Sequence, residues 1–405
     1  MKIAVFIKST TLHKGHGGLE TQNKAVCEEL VKRGHLVTIF SPKRELEYSE
    51  KEENGVKYVF IDANYYRYLF SSFGSNSWYK KSLEVFTKYH ESEKFDLVLS
   101  QSSSAESIIE NKNSLNVKVI SISHGTAASE FNTFVKNMSG LKDIVWLVRN
   151  TQYFLRQYFG RQRRFINHSN KVIAVSNYVK KALIEETFVP EEKVVVIHNG
   201  VDSKDYSDLQ EAKEVSKAGS SLDTYGEDRI KLYFLGRIEK SKGIFTILDI
   251  VKNLELGFVL HIVGDGPDLN EAKDKSKALG LSNNVIFHGK SLHREFIKLY
   301  RPDIFVFPTK RIEGFPMVLV ESMFASLPVV AFDMGGVSDA VEDERTGYLI
   351  RNGSTKEFKE KLIKIMSDCS LRLTFGKNAK EKAEKEFRLD KMIDAYESLF
   401  KEVLK

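Results

Sequence analysis

Short, continuous apolar runs recur along the whole chain, and they constrain its fold more than any other feature. They are rich in β-branched and aromatic residues and lie at 3–7, 36–40, 58–61, 97–99, 117–122, 172–175, 194–197, 232–235, 259–263, 285–287, 304–307, 329–332 and 348–350. Runs without a polar alternation are typical of strands buried on both faces of a parallel sheet. The chain therefore favours an α/β fold over a sandwich or a helical bundle.

Amphipathic segments separate most of these runs, as at 20–33, 178–186, 244–254 and 358–366. Strand, helix and parallel strand form right-handed units, so the alternation predicts open α/β sheets. It is interrupted once, at the polar segment 203–227, which predicts a linker between domains 1–202 and 228–388. The final helix, within 389–405, has no strand left to reach, and we expect it to pack back on the first domain.

The composition excludes several classes of protein. Of 405 residues, 42% are hydrophobic and 29% are charged, as in a soluble globular chain and unlike a disordered or fibrous one. Cys27 and Cys369 form neither a metal-ligand pair nor a disulfide framework. The apolar run near Met1 is too short for a signal-peptide core. No apolar run reaches the roughly 18 residues that a spanning helix needs, and these features together predict a cytoplasmic protein.

The turns after the strands are the first candidates for ligand binding, because open α/β sheets bind ligands beyond the carboxyl ends of their strands. Gly17 and Gly18 follow the first strand and open a helix, whose N–H groups can hold an anion. After the strand at 232–235, Gly236 leaves room for a ligand while Arg237 and Lys242 supply two cations suited to phosphate. We expect a diphosphate site there; a flexible glycine turn and a solvated basic loop are the alternatives.

Two glutamates, Glu313 and Glu321, follow the strand at 304–307. Pro316 can open a helix, which leaves Glu313 on the preceding loop and Glu321 inside the helix among apolar neighbours. Glu313 can then accept hydrogen bonds from hydroxyls, whereas a buried carboxylate at Glu321 is costly unless it is paired or hydrogen-bonded. The alternatives are a solvated helix face and the carboxylate pair of a glycosidase, which the spacing does not distinguish.

In this order, the segments resemble the GT-B-fold retaining glycosyltransferases of family 4, also called glycosyl transferases group 1. The resemblance covers nearly the whole chain and rests on the motifs at 17–20, 174–176, 198–202, 236–243, 264–267, 313–321, 331–336 and 346–350. It implies an α/β chain of two Rossmann-like parallel-sheet domains that face each other across a cleft. One departure is the turn Ser326-Leu327-Pro328, where a glycine is common in the family.

The resemblance also implies the roles of individual residues. Arg237 and Lys242 would bind the diphosphate of a UDP- or GDP-linked sugar. Glu313 would hold hydroxyls of the transferred sugar, and Glu321 the nucleotide ribose. His124 resembles the family's first-domain histidine near the donor sugar, although a lone histidine is more often structural. The implied catalytic residues are Glu313, His124, Arg237 and Lys242; further donor contacts would come from Gly17, Gly18, Gly236, Gly264, Gly314, Phe315, Pro316 and Met317.

The implied reaction transfers a hexose with retention of configuration, without a protein nucleophile. A donor phosphate oxygen would take the acceptor proton, and the cations and helix N–H groups would stabilise the leaving group. The sequence has no Asp-x-Asp motif, and neither a cofactor nor a metal is expected. The acceptor would be a glycan or a lipid-linked glycan of polysaccharide, lipopolysaccharide or glycolipid synthesis. A sugar-nucleotide epimerase on the same fold and a non-catalytic peripheral membrane protein are the alternatives.

The net charge of +6 is distributed unevenly. Residues 1–200 hold 28 basic and 21 acidic side chains, or +7, which leaves 33 and 34, or −1, for the remainder. Segment 131–184 has ten basic residues against the single acid Asp143.

Arg149, Arg156 and Arg163 recur every seven residues in that segment. They predict a basic amphipathic helix that binds an anionic membrane surface at the inner face of the cell membrane, next to the acceptor. A helix that packs its apolar side on the first domain is the alternative. Nucleic acid is not expected as a partner, since no binding motif accompanies the charge.

Overall fold

The computed structural model describes residues 1–15, 17–64, 77–138, 147–148, 151–152, 154–207 and 229–405. The chain divides into two units: unit 1 comprises Met1–Asn199 with Asp390–Lys405, and unit 2 comprises Gly200–Leu389. The domain boundaries expected from the sequence stay predictions; they divide the chain into 1–202, 203–227, 228–388 and 389–405. Most of the predicted linker lies outside the described residues.

Unit 1 is built on a mostly parallel sheet. Its strands are β1 (Lys2–Phe6), β2 (Leu36–Pro42), β3 (Glu50–Glu53), β4 (Val56–Ile61), β5 (Leu97–Gln101), β6 (Lys118–Ser123), β7 (Lys171–Ala174) and β8 (Val194–Val196). Over the described residues they follow the order β3-β4-β2-β1-β5-β6-β7-β8. All neighbours are parallel except β3 and β4. The central strands are buried throughout, as their apolar sequences require.

Helices connect these strands. They are α1 (Gly18–Lys32), α2 (Trp78–Glu93), α3 (Glu106–Leu115), α4 (Ala127–Lys136), α5 (Gln162–His168) and α6 (Asn177–Thr187). A π-helical turn, Gln157–Arg161, runs directly into α5. Strand β3 was missed by the sequence analysis because its four residues are all charged. The Asn54-Gly55 turn that joins β3 to β4 has positive φ at both residues and is the strongest short hairpin signal in a sequence.

Unit 2 is built on a second parallel sheet. Its strands are β9 (Ile230–Leu235), β10 (Phe258–Val263), β11 (Val285–Gly289), β12 (Ile304–Phe307), β13 (Val329–Phe332) and β14 (Gly347–Ile350). Over the described residues their order is β11-β10-β9-β12-β13-β14. The helices are α7 (Ile244–Val251), α8 (Leu269–Ala278), α9 (His293–Tyr300), α10 (Met317–Phe324), α11 (Val337–Ala340), α12 (Thr355–Ser367) and α13 (Cys369–Glu386). The predicted α/β class with two parallel-sheet domains is confirmed.

The last helix, α14 (Leu389–Leu404), packs on unit 1. Arg33 forms ion pairs with Asp394 at 2.5 Å and Glu397 at 3.2 Å. His35 Nε2 lies 2.8 Å from a second oxygen of Glu397. The apolar side of α14 is buried, with Tyr396 and its neighbours inside the unit. The amphipathic pattern of this helix is therefore used for packing.

In the described part of the basic segment, a π-helical turn, Gln157–Arg161, interrupts the helix. Arg149 lies outside the described residues. The π-helical turn separates Arg156 from Arg163, and its wider turn breaks the seven-residue spacing that would align them. Arg156 is exposed, whereas Arg163 is partly buried and donates from Nε to the Glu186 carbonyl at 3.2 Å.

Acids from outside the segment also offset part of its charge. Buried Arg161 pairs with Glu106, and Arg164 lies 3.3 Å from the same carboxylate. Lys171 lies 2.8 Å from Glu402 on α14. A count of the acids within the segment, which finds only Asp143, therefore underestimates how much of its positive charge is neutralised. Among the described residues, no helix is long and apolar enough to cross a bilayer.

The turn with Ser326 adopts a conformation that favours glycine. Ser326 has φ +57°, in the left-handed region, and its carbonyl lies against Gly376 on α13. A side chain in this region costs about 1 kcal/mol relative to glycine. Ser326, at the turn where a glycine is common in the family, therefore holds the backbone in a strained conformation.

We predict that Ser326→Gly unfolds at a higher temperature than Ser326→Ala, by about 1 kcal/mol in the free energy of unfolding. Both variants lose the serine hydroxyl, so the comparison isolates the backbone strain. Thermal or urea unfolding measures the difference. Equal stability of the two variants would show that the turn carries no strain.

Candidate functional site

The turn after β9 brings two cations to the carboxyl edge of the unit 2 sheet. A 3-10 turn, Lys240–Lys242, follows Arg237 and places Lys242 just before α7. Arg237 is exposed, and its Nε lies 3.3 Å from Glu239. An exposed pair of this kind contributes little to stability, so the guanidinium can exchange its partner for a ligand anion.

Lys242 forms a partly buried ion pair with Glu313. Its Nζ lies 2.7 Å from Glu313 Oε1, and Thr309 Oγ1 donates to the same oxygen at 3.1 Å. Glu313 and Thr309 are buried at 9% and 0% exposure. Over the described residues, the second carboxylate oxygen of Glu313 has no hydrogen-bond partner. The carboxylate is thus held by one oxygen and available to a ligand through the other.

Glycines let the loops carrying this pair touch backbone to backbone. Gly243 has φ +82°, and a Cβ there would lie 1.8 Å from the Pro308 carbonyl oxygen. Gly335 has φ +70°, and its Cβ would lie 2.2 Å from the Glu313 carbonyl oxygen. Gly336 N then donates to that carbonyl at 2.8 Å. The loops after β9, β12 and β13 are therefore locked together around Lys242 and Glu313.

Helix α10 begins directly after Glu313-Gly314-Phe315-Pro316. Pro316 occupies the cap position and Met317 is the first helical residue, as the proline predicts. The first N–H groups of a helix have no intrahelical acceptor, so they can meet phosphate oxygens. The Phe315 side chain is buried, with its ring 5.4 Å from that of Phe387. Only the backbone of Phe315 is therefore placed for a ligand.

Glu321 lies one turn further along the mostly apolar helix α10, near Asp205, Tyr206 and Tyr233. Burial raises the pKa of Glu321 to about 7, and the nearby carboxylate of Asp205 adds to the rise. Over the described residues, its carboxylate accepts no side-chain hydrogen bond. Burial also raises the pKa of the nearby Tyr206 and Tyr233 hydroxyls. Such an unsatisfied carboxyl is suited to accept hydrogen bonds from a ligand diol.

Asp205 and Tyr206 fall within the predicted linker and were not expected near the site. They lie on a short 3-10 turn, Ser203–Tyr206, capped by Asp202. The Tyr206 ring stacks on Phe324 of α10 at 6.0 Å. The Asp202 cap, with its oxygen 3.0 Å from Lys204 N, was the available local signal that structure continues past Asp202.

Gly236 and Gly264 lie on neighbouring turns of the same sheet edge. Gly236 N donates to the Val263 carbonyl at 3.1 Å, and Gly264 N to the Gly289 carbonyl at 2.8 Å. Their N–H groups are therefore used within the protein. Asp268 caps α8, and Leu269 is its first residue.

In unit 1, Gly17 caps α1 and Gly18 is its first residue. The N–H of Gly17 donates to Glu20 Oε2 at 2.9 Å, in a capping box. This contact satisfies one of the groups that the sequence analysis offered to an anion. The remaining N–H groups of the first turn are open to a ligand.

His124 follows β6 and is only partly exposed. Its Nε2 lies 2.7 Å from Gln101 Oε1. Burial lowers the pKa of His124 to about 4, so the ring is neutral at pH 7. Such a ring can exchange hydrogen bonds with a substrate but carries no charge.

The predicted site residues that the structure describes are divided between the two units. One group lies in unit 2 and comprises Gly236, Arg237, Lys242, Gly264, Glu313, Gly314, Phe315, Pro316, Met317 and Glu321. The other lies in unit 1 and comprises Gly17, Gly18, His124, Arg156 and Arg163. Among the residues that the structure describes, no three His, Cys, Asp or Glu side chains are grouped to hold a metal ion.

Each of the two units matches a known protein family. The family model described as Glycosyl transferases group 1 matches residues 224–382, and the model of Glycosyltransferase Family 4 matches residues 16–205. An uncharacterized glycosyltransferase of Methanocaldococcus jannaschii is 27% identical over 71% of this chain and 69% of its own length.

Two further relatives have more specific names. The capsular polysaccharide biosynthesis glycosyltransferase CapM of Staphylococcus aureus is 28% identical over 64% of this chain and 68% of its own. The N-acetyl-alpha-D-glucosaminyl L-malate synthase of Bacillus anthracis is 26% identical over 59% and 61%. The chain thus matches about two thirds of each relative.

Solved structures share the fold over nearly the whole chain. Sucrose-phosphate synthase from Thermosynechococcus elongatus superposes with a TM-score of 0.79 at 18% identity, covering 99% of this chain and 98% of that one. Anabaena HepE in complex with UDP and glucose has a TM-score of 0.72 at 19% identity, covering 99% and 100%. With the family models matching both units, the chain belongs to the glycosyltransferases of family 4 (glycosyl transferases group 1) and has the GT-B fold.

Proposed function

We propose that this glycosyltransferase moves a hexose from a UDP- or GDP-linked donor to a glycan or lipid-linked acceptor. The observation that carries the proposal is the partly buried Lys242–Glu313 pair, whose glutamate keeps one oxygen unbonded beside the start of α10. Together with exposed Arg237, the pair supplies both kinds of group that a nucleotide sugar needs. Cations and helix N–H groups suit its diphosphate, and carboxylates suit its hydroxyls.

The charge balance of the pair explains its suitability for a donor. Before a ligand arrives, each charge of the Lys242–Glu313 pair is compensated by the other, so neither is left as an unpaired charge. A diphosphate then binds between Lys242 and Arg237, while Glu313 keeps its hydrogen bond to Thr309. Glu321 holds the ribose diol through its otherwise unsatisfied carboxyl.

In the proposed reaction, the bond between the anomeric carbon and the phosphate oxygen breaks. A bond from that carbon to the acceptor oxygen forms on the same face, so the configuration is retained. The acceptor proton moves to the departing phosphate oxygen. Lys242, Arg237 and the N–H groups of α10 stabilise the charge on the leaving diphosphate, so neither a metal nor another cofactor is required.

The substrates are suggested by proteins of the same family or fold. HepE of Anabaena was solved with UDP-glucose. The relative CapM acts in capsular polysaccharide biosynthesis, and WaaG, which shares the fold, is involved in lipopolysaccharide biosynthesis. We infer that this chain serves the synthesis of a cell-surface polysaccharide, lipopolysaccharide or glycolipid. Gly17, Gly18 and His124 are assigned to donor binding on the family resemblance.

We also propose that the protein lies in the cytoplasm at the inner face of the cell membrane, where it would meet a lipid-linked acceptor. This proposal is supported by a surface of unit 1 that we call the aromatic–arginine patch: Tyr158, Phe159, Arg163 and Phe188. The Arg163 guanidinium lies 4.9 Å from the Phe188 ring centre and 5.5 Å from that of Phe159. Phe188 is 74% exposed and Phe159 63%. Exposed aromatics beside arginine are typical of interfacial elements.

The first test is turnover of a panel of UDP- and GDP-sugars with and without EDTA. One donor should support transfer or slow hydrolysis, and EDTA should not change its rate. Lys242→Met and Glu313→Gln should each lower kcat/KM by about 10²–10³-fold, because each removes a group that acts on the reacting sugar phosphate.

Lys240→Ala is the matched control, because Lys240 lies on the same turn but is exposed. It should leave turnover near that of the wild type. Full turnover in the Lys242 and Glu313 variants would contradict the site, and loss of activity in EDTA would contradict the metal-independent reaction.

The second test uses pH. Because burial raises the pKa of Glu321 to about 7, the protonated form stabilises the unliganded fold at low pH, and this contribution is lost as pH rises through about 7. Ribose hydroxyls bind the ionised form, so donor affinity should rise about tenfold between pH 6 and pH 8. Thermal unfolding with and without a nucleotide sugar measures both trends. Glu321→Gln should abolish both, and a pH dependence that persists in that variant would refute the assignment.

The third test concerns the membrane. Phe188 has φ +55°, a left-handed conformation at the end of α6 that favours glycine. Phe188→Gly should therefore retain or gain stability, yet bind phosphatidylglycerol vesicles several-fold more weakly. Leu373→Ala, which removes an exposed apolar side chain from unit 2, is the control and should bind as the wild type does. Equal binding of wild type to neutral and anionic vesicles would exclude the membrane proposal.

A further inference from the structure

The 3-10 turn Ser203–Tyr206 is held against helix α10 of the same unit. The ring of Tyr206 stacks on that of Phe324, the last residue of α10, at 6.0 Å. Phe324 lies three positions after Glu321, and residues three apart share a face of a helix. The turn therefore packs on the face of α10 that carries the Glu321 carboxyl.

The backbone before the turn is fixed as well. Val201 N donates to the Phe387 carbonyl at 2.8 Å, and Leu389 N donates to the Val201 carbonyl at 2.9 Å. The Phe387 ring lies 5.4 Å from that of Phe315, which precedes α10. The Asp202 carboxylate caps the turn. The turn is thus anchored on both sides, so the fold sets the position of its side chains relative to α10.

One charged pair lies beside Glu321. Asp205 precedes Tyr206 on the turn, and its Oδ1 lies 3.7 Å from Arg294 Nη1 on α9. The two side chains are 60% and 44% exposed, so the pair contributes little to stability and the cation moderates the negative charge without cancelling it. Among the described residues, Asp205 is the charged group that adds to burial in raising the Glu321 pKa.

The other titratable groups around Glu321 are uncharged at neutral pH. Burial raises the pKa of the Tyr206 and Tyr233 hydroxyls and lowers the pKa of His293 to about 3. His293 Nε2 lies 3.2 Å from the hydroxyl of Ser322, the residue after Glu321. Helix α13 also packs on α10, but over the described residues it brings no charge that changes the Glu321 pKa. The exposed pair therefore governs the charge around this carboxyl.

We propose that Asp205 is a positioning residue that acts through Glu321: its charge, moderated by Arg294, determines the pH at which Glu321 becomes the carboxylate that binds the donor ribose. The ribose hydroxyls donate to the ionised carboxylate, so donor binding releases the Glu321 proton to solvent. Donor affinity is thereby coupled to pH near neutrality, and a residue that does not touch the donor adjusts the coupling. The inference rests on the proposed function, because it assigns Glu321 to the ribose.

The physical basis is the interaction of a rim charge with a partly buried carboxyl. A nearby negative charge makes ionisation of the carboxyl less favourable, and a cation beside that charge moderates the effect. Changing one charge at the exposed rim shifts the ionisation by about half a pH unit. Because an exposed pair contributes little to the fold, the adjustment leaves unit 2 intact.

Carboxyl ¹³C spectra of the full-length protein test the ionisation without a donor, with the Glu321 signal assigned from Glu321→Gln. The wild type should titrate near pH 7. Asp205→Asn removes the negative charge and should lower the midpoint by about half a pH unit, whereas Arg294→Met leaves Asp205 uncompensated and should raise it. A wild-type midpoint in the ordinary range of glutamate, an unchanged midpoint in Asp205→Asn, or shifts in the same direction in both variants would overturn the proposal.

Calorimetry then tests the consequence for the donor, with UDP-glucose and GDP-glucose as probes because neither has a phosphate that titrates between pH 6 and pH 8. At pH 6, Asp205→Asn should bind the donor about two- to three-fold more tightly than the wild type, and Arg294→Met about as much more weakly. The differences should largely disappear at pH 8, where Glu321 is ionised in all three proteins. Proton release at pH 7, measured in buffers of different ionisation enthalpy, should be smaller in Asp205→Asn.

Asp249→Asn is the matched control. Asp249 on α7 is likewise exposed and paired, at 2.6 Å from Lys275 on α8, but it does not contribute to the Glu321 pKa. This variant should titrate and bind as the wild type does. The same pH dependence of donor binding in the wild type, Asp205→Asn and Arg294→Met would contradict the proposal.

The outcomes separate this inference from the proposed function. If no nucleotide sugar binds, the proposed function fails, while the carboxyl spectra still decide whether Asp205 acts on Glu321. If a nucleotide sugar is turned over at a rate that depends on Lys242 and Glu313, but its binding has the same pH dependence in Asp205→Asn, the proposed function stands and this inference is wrong.

Discussion

Close backbone contact between loops at one sheet edge is the constraint on which the unit 2 site depends. Gly243 presses on Pro308 and Gly335 on Glu313, at distances that a Cβ would not allow. These contacts bring Lys242 and Glu313 to 2.7 Å, although the residues are 71 positions apart in the chain. A flexible arrangement of the same side chains would lose the orientation that charge stabilisation in a transfer reaction requires.

The charges of the chain are used in two different ways. Buried and partly buried cations are paired, as Arg161 is with Glu106 and Lys242 with Glu313, since an unpaired buried charge is costly. Arg237 and Arg156 stay exposed, where a charge can meet an incoming phosphate or an anionic surface. The net charge of a segment therefore overstates the number of its cations that are available to bind a ligand or a membrane.

Burial also sets the protonation of the candidate ligand-binding groups. It raises the pKa of Glu321 and lowers that of His124, so each side chain is pushed towards its neutral form. His124 is therefore neutral at pH 7, whereas Glu321 changes its charge near pH 7 and accepts hydrogen bonds from a ribose in its ionised form. The cationic part of the site is left to Lys242 and Arg237, which matches the division between the hydroxyls and the diphosphate of a nucleotide sugar.

The sequence by itself determined the α/β class, the apolar strands and the Glu313–Glu321 segment, because buried parallel strands and a proline-initiated helix have strong local patterns. It missed the charged edge strand β3 and the residues Asp205 and Tyr206, whose local signals are weak. Only the tertiary structure decided which residues pair with the basic segment and that Gln101 faces His124. Such contacts join side chains distant in sequence, and the approach of separate loops and strands, rather than any local pattern, creates them.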